Sequence, residues 1–315
     1  MVNIKEELWG VIVNPHAGKR RLGKDWSNVY KVFKQANIKF SEQLTAYPGH
    51  ATEIVQTMLD KGFRHFFIVG GDGTLNEVVN GIYKSDIPDK HEVVVALIPL
   101  GTGNDWARFW GITRDNYKAI SDQLLIRKCQ PVDIGKITYT DNDTGERNTQ
   151  YFINQVGLGF DALVVKQTNR LKSILGGSAW SYTLSIIMSV FLYKSTMMKV
   201  YDNSKSLYDN IFSIAIGNGC YSGGGLKQTP DAVPTDGVFH VSVIKKPKFF
   251  QIFKGLKLFF QEEITKLNFV ETFVCPKITI EASEKILCER DGLPIHGHSP
   301  FVVEIIPNSL KMLKL

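Results

Sequence analysis

His65-Phe-Phe-Ile-Val-Gly-Gly-Asp-Gly-Thr-Leu-Asn-Glu-Val-Val-Asn-Gly-Ile-Tyr83 is the stretch on which the fold of this 315-residue chain turns. Phe66, Phe67, Ile68 and Val69 are an unbroken apolar run, as in a strand of a parallel sheet buried on both faces. Leu75, Val78, Val79 and Ile82 recur at helical spacing, which predicts a helix from Thr74 onward. Gly70, Gly71 and Gly73 lie between the two, around Asp72. A strand that breaks into glycines and then opens a helix presents unpaired N–H groups and the positive end of a dipole, a setting suited to an anion such as phosphate. Asp72 does not fit simple anion storage. A carboxylate there repels phosphate unless it orients a metal or accepts a proton from an attacking hydroxyl, which points to phosphoryl transfer.

Working outward, the first half alternates strands and helices. Leu8 to Val13 is an apolar strand ending in Asn14-Pro15-His16-Ala17-Gly18-Lys19, where proline stops the strand and glycine permits a turn. A helix follows, with Trp26, Val29, Tyr30 and Phe33 on one side. Ile38 to Thr45 reads as the next strand, and Thr52 to Lys61 as a helix capped by Gly62. Val93 to Leu97 is a further buried strand. It enters Pro99-Leu-Gly101-Thr102-Gly103-Asn104-Asp105, a second glycine turn in which Asn104 or Asp105 can cap a helix. Two such turns after two parallel strands belong in one crevice, because ligands sit beyond the carboxyl ends of the strands. Asn116 to Lys128 reads as another helix, and Pro131 ends this half.

After Pro131 the periodicity changes. Short runs at 133–139, 150–156, 199–201, 211–216, 238–244, 277–281 and 301–306, separated by Gly and Asn turns, imply an antiparallel sandwich or barrel. The fold class expected is therefore α/β. A doubly wound parallel-sheet nucleotide domain occupies 1–130 and an antiparallel β-sandwich 131–315, with the last strand free to pack back on the first domain. Ser178 to Tyr193 is too interrupted for a span of about 20 apolar residues and reads as a buried or cleft-lining helix. Lys245 to Phe260 mixes bulky apolar residues with lysines, either as a core helix with snorkelling lysines or as a membrane-surface helix.

Composition excludes several classes. With 43% hydrophobic and 22% charged residues the chain is ordinary for a globular protein. Its net charge of +6 suits ATP or an anionic membrane surface, while the lack of a dense Lys/Arg tract argues against nucleic acid. Cys129, Cys220, Cys275 and Cys288 form no C-x-x-C pair, so zinc is not expected and the thiols read as reduced core residues. The opening Met1-Val-Asn-Ile-Lys-Glu-Glu7 does not have the pattern of a signal peptide, and the location expected is cytoplasmic.

Gly-Gly-Asp-Gly-Thr at 70–74, continued by Asn76-Glu77-Val78-Val79-Asn80-Gly81, resembles the signature of the diacylglycerol kinase catalytic domain. That family takes in soluble bacterial lipid kinases, sphingosine and ceramide kinases and, more distantly, NAD kinases. No Gly-Lys-Ser/Thr follows, so the motif is not a Walker loop. The similarity extends through Asn14-Pro15-x-x-Gly18, Gly101-Thr102-x-Asn104-Asp105, Gly159-Phe-Asp-Ala162, Gly217-Asn218-Gly219, Gly223-Gly-Gly225, Pro230-x-Ala232 and Asp236-Gly237. It implies ATP and Mg²⁺ as cofactors and a lipid substrate met at the membrane surface by a peripherally associated enzyme. A homodimer is left open. By the same resemblance the nucleotide would be held by Asn14, Pro15, Gly18, Lys19, Thr45, Gly70, Gly71, Asp72, Gly73, Thr74, Leu75, Asn76, Thr102 and Asn104, with Asp72 orienting or deprotonating the lipid hydroxyl. Asp236 would ligate a structural magnesium with the Phe239 and Val241 carbonyls, although His240 stands where relatives often carry aspartate. Arg20 and Arg21 read as a solvated loop face.

One departure matters. The family usually has Asp-Gly-Glu near its end, and that glutamate is a proposed general base. This chain has Asp291-Gly292-Leu293-Pro294, and leucine accepts no proton. Asp72, Glu289 or Asp291 could take over, or turnover could be low. A nucleotide-binding lipid sensor and an NAD kinase are therefore the rival expectations.

Overall fold

The computed structural model describes residues 2–3, 6–18, 22–101, 103–116, 118, 126–127, 129–175, 189–190 and 193–313. The chain divides into two compact units, one of residues 1–134 with 307–315 and one of residues 135–306.

The first unit contains β1 (Leu8–Val13), α1 (Leu22–Gln35), β2 (Lys39–Leu44), α2 (His50–Asp60), β3 (His65–Gly70), α3 (Asp72–Lys84), β4 (Val94–Pro99) and α4 (Asp105–Phe109). Its strands are all parallel, in the order β2-β1-β3-β4, and Lys311–Leu313 at the end of the chain adds beside β4. Both faces of the sheet are covered, which is why β3 and β4 are apolar throughout. Trp9, Val11, Phe67, Val69 and Ile98 pack with Val29 and Phe33 of α1. Ile54, Val55, Leu75, Val78, Val79 and Ile82 of α2 and α3 are likewise buried. At Gly81 an added Cβ would stand 2.3 Å from Val55 Cγ1 and 2.7 Å from the Thr52 carbonyl oxygen, so glycine sets the approach of α2 to α3.

The second unit is an antiparallel β-sandwich. Its principal elements are β5 (Cys129–Asp141, of which residues from 135 on belong to this unit), β6 (Arg147–Phe152), β7 (Gln155–Gly159), α5 (Phe160–Leu175), β8 (Thr196–Tyr201), β9 (Ser206–Gly217), β10 (Phe239–Lys245), α6 (Phe249–Phe260), β11 (Val270–Cys275), β12 (Lys277–Ala282), β13 (Cys288–Arg290), β14 (Leu293–Ile295) and β15 (Gly297–Leu313, of which residues up to 306 belong to this unit). β9 is central and pairs with β7, β8 and β10. β10 continues to β11, β8 to β12, and β7 to the β13–β14 hairpin. The core holds Phe152, Leu158, Ile214, Ile216, Phe239 and Phe301. None of the four cysteines forms a disulfide, and three of them are buried.

Several boundaries differ from the sequence expectation. α3 starts at Asp72 rather than Thr74, because Gly71 is still extended at φ −113°, ψ −170° and the helix opens directly after it. α5 opens within the Gly159-Phe-Asp-Ala motif, at Phe160, where no helix was expected. Of the helix expected over 116–128, Ile126–Arg127 is instead a short strand paired with Val2–Asn3, and 117, 119–125 and 128 lie outside the described residues. Most of the helix expected over 178–193 also lies outside them, although Ser189 and Val190 are buried.

Candidate active site

The order β2-β1-β3-β4 reverses direction between β1 and β3, so the crevice of the parallel sheet opens beyond Val13 and Gly70. The glycine turn sits there. Gly71 caps α3 without a side-chain hydrogen bond, and the first-turn amides have no acceptor within the helix. An added Cβ at Gly73 would meet nothing within 4 Å, which leaves open space over that turn. Gly70, in contrast, is enclosed: a Cβ would lie 2.6 Å from Thr74 Oγ1. The same hydroxyl accepts a hydrogen bond from Asn14 Nδ2 at 2.9 Å, tying the β1 loop to the start of α3.

The two glycine turns meet backbone to backbone. A Cβ on Gly101 would be 2.6 Å from Gly71 Cα, and one on Gly71 would be 2.9 Å from Gly101 Cα. Gly18, at φ +71°, brings the β1 loop against the Leu100 carbonyl oxygen, 2.3 Å from an added Cβ. Asn104 adopts φ 53° and donates from Nδ2 to the Gly101 carbonyl at 2.8 Å, while its buried Oδ1 has no hydrogen-bond partner among the described residues. Thr45 is buried, and its N–H donates to the Val13 carbonyl at 2.8 Å, one strand from Asn14. Pro15 lies in the turn after Asn14. Leu75 and Asn76 face inward, Asn76 accepting from Asn80 Nδ2 at 3.0 Å. Lys19 and Thr102 lie outside the described residues.

Asp72 has a role that the sequence did not reveal. Its Oδ2 accepts the Asp105 N–H at 2.9 Å and its Oδ1 the Trp106 N–H at 3.2 Å. The first residue of α3 thus caps α4, whose own Asn104 supplies no side-chain cap. Glu77 does the same for α2. Its carboxylate accepts the Gly49 and Ala51 amides at 2.9 and 3.3 Å, where Gly49 has no capping side chain. An acid held at a helix N-terminus also favours the dipole. Both acids of the signature therefore fix neighbouring helices around the crevice, and a carboxylate such as that of Asp72 is by its chemistry a proton acceptor.

The second unit carries the Asp291-Gly292 turn. Both residues have positive φ, 45° and 80°, as a two-residue hairpin between β13 and β14 requires. The Asp291 carboxylate accepts three amides, from Ile153 at 2.8 Å, Asn154 at 2.9 Å and Gln155 at 3.0 Å. Glu289 is buried and accepts the Gly292 N–H at 2.7 Å. A Cβ on Gly157 would lie 2.2 Å from Asp161 Oδ2 and 2.6 Å from Glu289 Oε1, so these two acids converge over that glycine. Burial pushes the Asp161 carboxyl up to about 6. Burial, and then the adjacent Asp161, raise Glu289. Gln228 Nε2 donates to Asp161 Oδ1 at 2.9 Å. Sequence spacing held no signal for this pair, 128 positions apart.

Of the magnesium candidates, Asp236 accepts the Val238 N–H at 3.1 Å and lies 3.5 Å from His240 Nε2. Val241 pairs with β9 on one side and β11 on the other, and Phe239 pairs with Cys275. Asp236 is the one charged oxygen donor in that set. Among the described residues no group of three or more His, Cys, Asp or Glu side chains could hold a metal ion.

A model of the diacylglycerol kinase catalytic domain matches residues 9–137, and a model of the YegS C-terminal NAD kinase beta sandwich-like domain matches 154–314. A Bacillus subtilis (strain 168) protein named diacylglycerol kinase is 28% identical over 285 residues, covering 90% of this chain and 88% of its own. An Alcanivorax borkumensis protein named "Probable lipid kinase YegS-like" is 27% identical over 301 residues, covering 94% and 93%. A Bacillus anthracis crystal structure described as a diacylglycerol kinase superposes with a TM-score of 0.70 at 22% identity over 98% of this chain and 97% of that one, which bears on fold alone. Yeast NADH kinase superposes with a TM-score of 0.56 at 12% identity, over 98% of this chain and 84% of its own. Two glycine turns in contact at the switch point of a parallel sheet, an antiparallel sandwich after them, and matches along nearly the whole sequence place this chain in the diacylglycerol kinase catalytic-domain family of YegS-like lipid kinases.

Proposed function

We propose that the protein transfers the γ-phosphoryl group of ATP, as its magnesium complex, to the hydroxyl of a lipid, diacylglycerol or a close relative. The observation that carries this is the uncapped N-terminus of α3, with open space over Gly73, at the switch point of the sheet. Its amides, with Asn14, Thr45 and Asn104 ordering the adjoining loops, would hold the phosphates. The lipid hydroxyl oxygen forms the new bond to the γ-phosphorus, and the bond from that phosphorus to the bridging oxygen breaks. ADP leaves, and the hydroxyl proton passes to Asp72.

The second unit offers a place for the apolar part of the substrate. Phe160, Phe212, Ile252, Gly255, Phe259 and Phe269 are among the residues that line a small apolar pocket under α6. An acyl chain would lie there. Lys248, Lys254 and Lys257 are exposed along α6, and Phe250 is 68% exposed, the composition of a helix that rests on an anionic membrane surface. Among the described residues no helix is long and apolar enough to cross a membrane.

The test is transfer of label from γ-labelled ATP to diacylglycerol in mixed micelles, with Asp72→Ala and the near-isosteric Asp72→Asn beside the wild type. Labelled phosphatidic acid from the wild type, reduced by about 10²–10⁴ in both variants, is the expected result. Equal activity in the variants would remove Asp72 from the chemistry. Leu293 favours one rival, a sensor that binds nucleotide and lipid without turnover, and binding of both without labelled product would establish it. Labelled NADP in place of labelled lipid would mark an NAD kinase.

A further inference from the structure

We infer that Tyr47, stacked on His50, is the nucleobase platform of this site, an inference that rests on the nucleotide reading of the crevice. The two rings lie 4.5 Å apart with an interplanar angle of 13°. Tyr47 is nevertheless 49% exposed, so one face of its ring is open to solvent. Both rings are pinned at their edges. The Tyr47 hydroxyl donates to Glu53 Oε2 at 2.7 Å, and the Ala46 N–H donates to His50 Nδ1 at 3.0 Å.

The loop that presents the stack is anchored at both ends. It leaves the carboxyl end of β2, where Thr45 donates to the Val13 carbonyl of β1 at 2.8 Å. Gly49, at φ +90°, turns it into α2. Glu77 grips it through the Gly49 and Ala51 amides, and its own carbonyl accepts the Thr52 hydroxyl at 2.9 Å. Glu77 lies on α3, three residues beyond Thr74, so the helix that opens at the glycine turn also sets the stack. β2 stands two strand spacings, roughly 9–10 Å, from β3, which leads into the glycine turn. That span suits a ribose between phosphates at the glycine turn and a base on Tyr47. A preorganised aromatic face with no buried function of its own is what a base stacks on at low entropic cost.

The experiment is calorimetric titration of the full chain, in the presence of magnesium, with ATP and with inorganic tripolyphosphate. Wild type, Tyr47→Ala and Tyr47→Phe are compared. Tyr47→Ala is expected to weaken ATP by about 5- to 150-fold, the range of one lost base stack, while tripolyphosphate stays within about twofold. Tyr47→Phe keeps the ring and is expected to bind ATP as the wild type does. In turnover, Tyr47→Ala should raise KM for ATP and leave kcat unchanged. Equal weakening of both ligands would make Tyr47 a loop scaffold and overturn the inference, as would an unaltered ATP affinity. Failure of wild type to bind either polyanion would overturn the nucleotide reading itself, a result distinguishable from the other two.

Discussion

Gly73→Ala separates what the fold needs at the glycine turn from what a ligand needs. Gly73 is the second residue of α3, its φ is not positive, and an added Cβ meets nothing within 4 Å. Alanine there restricts the unfolded chain without straining the folded one, a gain of about 0.5–1 kcal/mol and a rise in Tm of roughly 2 °C. The same methyl group would occupy the space through which a phosphate oxygen must approach the first-turn amides. Losing one charge-assisted hydrogen bond of about 1.5–3 kcal/mol corresponds to roughly 10- to 150-fold in affinity. Scanning calorimetry of the apo protein and titration with MgATP read the two effects separately. Gly101→Ala is the steric control, since its Cβ would fall 2.6 Å from Gly71 Cα and 2.7 Å from Asn104 Oδ1. Backbone cannot yield cheaply there, and overpacking should cost about 1–3 kcal/mol. A Gly73→Ala protein that is more stable and binds ATP like the wild type would refute placement of the phosphates over this turn.

Gly255→Leu should fill the apolar pocket under α6, because its Cβ would meet Phe269 and Leu267 at 3.8 and 3.9 Å, ordinary contact distances. Activity on long-chain lipid should fall at least tenfold with Tm unchanged or raised, and undiminished turnover would empty the pocket of its role. Glu77→Ala leaves two amides of α2 without their acceptor and should cost about 1–3 kcal/mol in urea unfolding. A change below about 0.3 kcal/mol would mean that water replaces the carboxylate there. Asp161 is raised by burial from 3.8 to about 6, so the folded state holds its proton more tightly than the unfolded chain does. Its contribution is fully present below pH 3.8 and is lost as pH rises through 6, about 3 kcal/mol in all. Asp161→Asn should flatten that slope while Gln228 keeps its acceptor, and an unchanged pH profile of unfolding would exclude Asp161 as its source.

The parallel half was legible because its physics is local. Phe66 to Val69 and Val94 to Ile98 must be apolar on both faces, and their short length and flanking glycines or proline mark such runs as strands rather than buried helix. The start of α3 was misplaced by two residues because apolar period reports only the buried stripe. Asp72 and Gly73 belong to the first turn and face the crevice. That the two glycine turns share a crevice followed from sheet topology; that Gly71 touches Gly101 did not, since nothing in either loop names its partner. The capping roles of Asp72 and Glu77 were illegible for the same reason. Their acceptors cap amides 33 and 28 positions away, and the one local hint was that α2, α3 and α4 begin at Gly49, Gly71 and Asn104 without a side-chain cap. α5 was missed because its opening residues carry a family motif, which invites reading them as a site rather than as the start of a helix.

The leucine at 293 bears on how much chemistry the signature acids must do. Asp291 makes three amide contacts, and Glu289 holds the Gly292 N–H, so the turn that usually carries the glutamate is intact without it. Leu293 opens β14 opposite Arg290 and is only partly buried, so glutamate can be placed there without leaving a buried charge. If Asp72 accepts the hydroxyl proton, phosphoryl transfer depends mainly on positioning, and Leu293→Glu should alter kcat by less than about threefold. If position 293 is where the base belongs, the substitution should raise kcat by about 10²–10⁴. Initial rates in mixed micelles at saturating ATP decide between the two. A hundredfold rise would move the proton acceptor from Asp72 to the hairpin and leave Asp72 as the cap of α4 alone.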